Sequence, residues 1–172
     1  MYEENLASVH IRPIVPGDRG MVAAFFDQMG GESRAFFDRR SGNRNSMMAC
    51  FDQPNPNRRN FAAVFRPSGK AEEEMAGLVF LWNLHTKTPW LGIAVAEQWK
   101  GRHLGRKLMA YAETYCLQLG KGGIFLTTHL ANIRGQALYL RCGYEQLGTS
   151  NWGEVLFFRS FPDAPPEDGA LL

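Results

Sequence analysis

The period of apolar positions changes several times along the chain, and each change predicts an element. In "SVHIRPI" (residues 8–14) Val9, Ile11 and Ile14 are the positions expected to be buried in a first strand, which "PGD" then ends. Asp18 is placed to cap a helix in which Met21, Val22, Phe25, Phe26 and Met29 recur at helical spacing, and the glycines at 30 and 31 are expected to close it. "ESRAFFDRR" (32–40) predicts a short second helix. Residues 41–60, rich in Asn, Pro and Arg, predict a loop with one helical turn around Met47 to Phe51.

The strand-like runs "NFAAVF" (60–65) and "MAGLVFLWNL" (75–84), joined by a polar link containing Pro and Gly, predict an antiparallel hairpin, and "TPWLGIAV" (88–95) a third strand beside it. Leu108, Tyr111, Ala112, Tyr115 and Cys116 then repeat at helical spacing, so a helix is expected from about 104 to 119 with "LGKGG" as its stop. "GIFLTTH" (123–129) predicts a strand, "NIRGQALYLRC" (132–142) a helix, and the segments flanking "SNWG" (150–153) a final hairpin. A strand-helix-strand-helix succession after an antiparallel hairpin implies an α+β fold: a mixed, mostly antiparallel sheet with one parallel step and flanking helices. Residues 1–161 read as one domain and the polar, Pro-rich 162–172 as a flexible tail.

Composition narrows the chemistry. With 172 residues, 45% of them hydrophobic, the chain can bury one substantial core. Its 19 Lys and Arg against 17 Asp and Glu give a formal charge of +2, too small a field for nucleic acid or an anionic membrane, so any anion must be bound locally. The acidic N-terminal stretch has no apolar leader core and "MAGLVFLW" falls far short of the roughly 20 residues that span a bilayer, so a cytoplasmic location is expected. Cys50, Cys116 and Cys142 show no metal-ligand or redox spacing and read as reduced packing thiols, with no metal site.

The parallel step puts "EQWKGRHLGRKL" (97–108) at the carboxyl end of a central strand, where ligands gather in such sheets. The free N–H groups of the first turn of the following helix, aided by its dipole, suit phosphate oxygens. Gly101 and Gly105 allow close approach of a ligand to the backbone, and Lys100, Arg102 and Arg106 add positive charge. Trp99 stands beside this cradle, either stacked on a ligand or as an exposed wall.

"IAVAEQWKGRHLGRKLM", followed after a helix and a strand by "NIRGQALYLRCGY", resembles the GNAT family of acyl-CoA-dependent N-acyltransferases. The family's spacing of Asn and, seven residues later, Tyr is held by Asn132 and Tyr139, and Gly143 with Tyr144 completes it. The resemblance implies acetyl-CoA as co-substrate, with its pantetheine along Ile93, Ala94 and Val95 where two strands splay. Its pyrophosphate would lie on the backbone of Gly101, Arg102, His103, Leu104, Gly105 and Arg106, and Asn132 would help to hold the cofactor. Tyr139 would protonate the departing thiolate, a role its reference pKa of about 10 against about 8.5 for a thiol permits.

Three positions depart from the family pattern. Lys100 replaces the usual Gln or Arg, His103 stands at the first motif glycine, where a negative φ would tolerate a side chain, and the usual carboxylate bases are missing, with Thr127 at one of their positions. His129, on the same strand face as Thr127, is the candidate base; His85 and a water relay are the alternatives. Cys142, near Tyr139, reads as packing, and the Phe pairs at 25 and 36 as core or as an acceptor wall. The function expected is transfer of an acetyl group to a primary amine of a small molecule or protein, with a noncatalytic acyl-CoA-binding module as the alternative. The edge of the last hairpin offers a surface for a homodimer.

Overall fold

The computed structural model describes residues 8–37 and 44–162. Seven strands form one sheet in the order β1-β2-β3-β4-β5-β7-β6: β1 His10–Pro13, β2 Arg59–Phe65, β3 Glu74–Trp82, β4 Trp90–Val95, β5 Gly123–His129, β6 Glu145–Thr149 and β7 Glu154–Ser160. Every neighbouring pair is antiparallel except β4 and β5. The mixed sheet and its parallel step thus match the sequence expectation. The helices are α1 Arg19–Asp27, α2 Gly31–Phe37, α3 Arg44–Asp52, α4 Leu104–Gln118 and α5 Ile133–Arg141. Among the described residues no helix is long and apolar enough to cross a membrane.

Helices cover the sheet on both faces, which is why β2 and β3 are nearly continuous in apolar residues instead of alternating. One core, holding Leu104, Leu108, Ala112, Ile124, Leu126 and Tyr139, lies under α4 and α5. The other, holding Val22, Phe25, Phe26, Met47, Leu78 and Phe80, lies under α1 and α3. Val9 and Ile11 pack on the first and Ile14 on the second, so the strand's three apolar residues do not share a face.

Several local expectations are corrected. Asp18 makes no side-chain cap to α1; its carboxylate accepts two bonds from the Arg12 guanidinium (2.7 and 3.0 Å) and one from the Val15 N–H (2.8 Å). Gly31 begins α2 instead of closing α1, and the part of the second predicted helix beyond Phe37 lies outside the described residues. The 41–60 segment holds a nine-residue helix, α3, because Met47 and Phe51, one turn apart, both turn to the core.

Strand β4 is zipped to β3 from Trp90 to Val95, and β5 to β7 from Gly123 to His129. Between themselves they share one pair, Trp90 with Phe125. Beyond it they diverge, and the facing edges of 91–95 and 126–129 leave a wedge at their carboxyl ends. Unpaired strand edges of this kind offer N–H and C=O groups to an extended ligand.

Candidate functional site

The wedge is the apex of an open cleft of about 800 Å³, lined by Leu91 to Val95, Thr127, Thr128, the start of α4 and the inner face of α5. That volume suits a ligand of cofactor size. Ile93, Ala94 and Val95 form its β4 edge.

At the mouth, α4 begins without a side-chain cap, and its first intrahelical bond runs from Lys107 N–H to His103 C=O (3.3 Å). The N–H groups of Leu104, Gly105 and Arg106 therefore have no partner within the helix, which leaves an anion-binding terminus. Two left-handed residues aim this turn: Gly101 at φ +77 and His103 at φ +63. His103 thus takes the glycine-like conformation of the motif position, not a negative φ; histidine is among the side chains that tolerate this region best. Gly105 has a different reason to be glycine, since a Cβ there would meet Leu138 Cδ2 at 2.9 Å, and the two helices pack closely at that point.

The charges are redistributed relative to the sequence reading. The Lys100 ammonium is bound to Glu97 Oε1 and Ser33 Oγ, both at 2.6 Å, and ties the cradle to α2. Arg102 lies over the Trp99 ring at 5.2 Å. Trp99 is not an exposed wall: it is 1% exposed and edge-on to Phe65. Arg106 lines the cleft as expected, and Arg134 and Arg141 join it from α5. Those two arginines sit on "NIRGQALYLR", a segment the sequence reading mined only for its Asn and Tyr.

Asn132 caps α5: its Oδ1 accepts from Gly135 N–H (3.1 Å) and its Nδ2 donates to Thr128 Oγ1 (2.9 Å). Tyr139, 6% exposed, packs against Phe157 at 5.5 Å. Burial pushes its phenol up to about 12, partly offset by a hydrogen bond with Thr128. Asn132, Thr128 and Tyr139 thus form one short chain of polar contacts on the α5 side of β5.

Residues alternate along a strand, so Thr127 and His129 face the opposite side, toward α2. The His129 ring stacks on Phe36 at 5.5 Å, and its Nδ1 accepts the Ala131 N–H at 3.0 Å. That bond occupies the Nδ1 lone pair within the turn that leads into α5. A neutral imidazole whose Nδ1 is an acceptor carries its hydrogen on Nε2, so its other nitrogen presents a donor and has no lone pair for an amine proton. His85 is exposed in the loop between β3 and β4, at the end of the sheet opposite the wedge.

Carboxylates do reach the cleft, from positions outside the strands that were searched for them: Glu32 on α2 and Glu97 just past β4. Glu97 is a poor base, because Lys100 and then Ser33 hold its carboxyl below the usual range. The two Phe pairs divide, with Phe25 and Phe26 buried in the core and Phe36 and Phe37 on the cleft wall. Cys142 is half-buried and its thiol is raised by burial, which suits packing and not nucleophilic attack. Among the described residues no cluster of three or more potential ligands could hold a metal.

A family model described as the acetyltransferase (GNAT) family matches residues 31–144. A search of curated proteins finds no significant match. Among solved structures, a ribosomal-protein-S5-alanine acetyltransferase from Vibrio fischeri is similar at a TM-score of 0.77 and 14% identity, covering 92% of this chain and 96% of that one. An N-acetyltransferase from Thermoplasma acidophilum in complex with coenzyme A is similar at 0.70 and 16% identity, over 90% and 99%. A spermidine N-acetyltransferase from Vibrio cholerae, in complex with CoA and spermine, is similar at 0.70 and 15% identity, over 90% and 96%.

Proposed function

The chain belongs to the acetyltransferase (GNAT) family, an acetyl-CoA-dependent family, and from that premise we propose that it transfers an acetyl group from acetyl-CoA to a primary amine by direct attack. The observation that carries this reading is the wedge between β4 and β5, with an uncapped helix terminus at its mouth and a buried phenol on its wall. Acetyl-CoA supplies a thioester, whose C–S bond breaks as the amine nitrogen bonds to the acyl carbon.

The residues divide the remaining work. The free edge at Ile93, Ala94 and Val95 pairs with the amide groups of an extended pantetheine. The backbone of Gly101 to Arg106, with Arg106 and Arg134, holds the pyrophosphate, while Lys100 fixes the loop through Glu97 and Ser33. Tyr139 keeps its proton until about pH 12, so it is available to donate to the sulfur throughout the working range. Asn132 orients Thr128, and Thr128 the phenol. The amine proton leaves to water, since the His129 lone pair is committed to Ala131.

Two measurements test this. Titration calorimetry should detect acetyl-CoA binding, and a thiol-release assay with a panel of primary amines should detect turnover. In Tyr139→Phe turnover should fall roughly tenfold to a thousandfold with little change in acetyl-CoA affinity. Equal turnover in the two proteins would remove Tyr139 as the acid. Binding with no turnover of any amine would favour a noncatalytic acyl-CoA-binding module.

A further inference from the structure

The transfer reading leaves the acceptor open, and the inference that follows rests on that reading. Acceptor and cofactor are expected on different sides of the wedge: the polar chain through Tyr139 lies on the α5 side, so the amine must come from the α2 side. That side carries a row of aromatic rings. Trp82 meets Trp90 at 6.2 Å, Trp90 meets Phe125 at 5.3 Å, and Phe125 meets Phe158 at 4.5 Å.

Two features set the row apart from ordinary core. Trp90, Phe125 and Phe158 are partly exposed and belong to neither core cluster. Trp90 and Phe125 are also the one pair that joins the diverging strands, so their stacked rings sit at the vertex of the wedge. Thr127, which lines the cleft, is two residues beyond Phe125 on the same face, about 7 Å further along the strand. Phe36, lying on His129, closes the same approach from above.

The charges point the same way. A polyamine or aminoglycoside needs several carboxylates to receive its cations. Of the two that line the cleft among the described residues, Glu97 is matched by Lys100, which leaves Glu32. Glu154, paired with His129 across β5 and β7, accepts the Trp152 indole N–H at 2.9 Å.

We propose that the acceptor is a primary amine joined by a short linker to an aromatic ring, the ring packing on the partly exposed edges of Trp90 and Phe125, whose faces the neighbouring rings already cover, while the amine reaches the level of Thr127. Edge-to-face packing on such a pair favours an aryl body over an aliphatic one of similar size.

The test is thiol release at saturating acetyl-CoA with 2-phenylethylamine, tryptamine, n-propylamine, spermidine, kanamycin and an alanine-initiated peptide. The expected kcat/KM for the two aryl amines exceeds that for propylamine and spermidine by about tenfold or more. Phe125→Leu should collapse that ratio, chiefly through KM of the aryl amines, with acetyl-CoA affinity reporting that the variant is folded. Preferred turnover of spermidine, kanamycin or the peptide overturns the inference alone. So does a Phe125→Leu variant that is folded and keeps the ratio. Acetyl-CoA binding with no amine turned over overturns the transfer reading itself.

Discussion

Replacing His103 with glycine should stabilise the fold by about 0.5 kcal/mol, a small difference between two opposed terms. The left-handed conformation at φ +63 costs an L-residue roughly 1–2 kcal/mol, and histidine falls toward the lower end. Glycine removes that strain but adds about 0.5–1 kcal/mol of chain entropy to the unfolded state. The imidazole is exposed, so little packing is lost with it. In a chain of this length 1 kcal/mol moves the unfolding midpoint by roughly 2–4 °C, which makes the expected gain about 1–2 °C. His103→Val is the counterpart: a β-branched residue is strongly disfavoured here and should lose about 1–2 kcal/mol, or roughly 2–8 °C. Thermal unfolding by far-UV circular dichroism, without ligand, measures both. A glycine variant less stable than its parent by more than about 1 kcal/mol, or a valine variant with an unchanged midpoint, would refute the strain argument.

Three further outcomes are expected. Gly92→Ala would set a Cβ 2.2 Å from the Phe80 ring, which Trp82 stacks at 5.5 Å and the Arg58 guanidinium covers at 4.6 Å; urea unfolding should show a loss of about 3 kcal/mol, partly recovered by adding Phe80→Leu, and an unaffected midpoint would contradict the packing. His129→Gln should keep the ascending limb of the pH profile of kcat/KM, because the proposed reaction passes the amine proton to water; disappearance of the limb would make His129 the base. Stability should be full below about pH 9 and fall as pH rises toward 12: the unfolded chain gives up protons from Cys116 and Tyr139 near 9.0 and 10.0, whereas in the fold burial raises both to about 12. A urea midpoint unchanged between pH 8 and 11 would contradict that linkage, and Tyr139→Phe should shallow the decline.

Much of this arrangement was legible because it rests on local signals. Period changes marked the strands and α4, and the glycines and arginines after "IAV" marked a strand-to-helix turn with anion chemistry. What stayed hidden depends on contacts distant in sequence. Asp18 reads as a cap until Arg12 is seen to take its carboxylate. Gly105 reads as a cradle glycine until Leu138 is placed against it. The hydrogen-bonding role of the His129 Nδ1 is set by one N–H two residues away, and the composition around α3 obscured the two side chains, Met47 and Phe51, that anchor it. Glu97 was missed for a simpler reason, as carboxylates were sought within the strands and it lies just past one.

The alternation along β5 separates two kinds of demand by a single peptide plane. Leu126 faces the core and Thr128 the Tyr139 phenol, the proton donor of the proposed reaction. Phe125, Thr127 and His129 face the other side, where Trp90, Phe158 and Phe36 are neighbours and the acceptor of the proposed reaction would arrive. Because the two-residue period persists whatever the side chains are, rewriting every second position leaves Thr128 facing the Tyr139 phenol. For laboratory evolution this makes 125, 127 and 129 a compact library: three codons at which the proposed acceptor preference can be screened while the residues beside Tyr139 stay as they are.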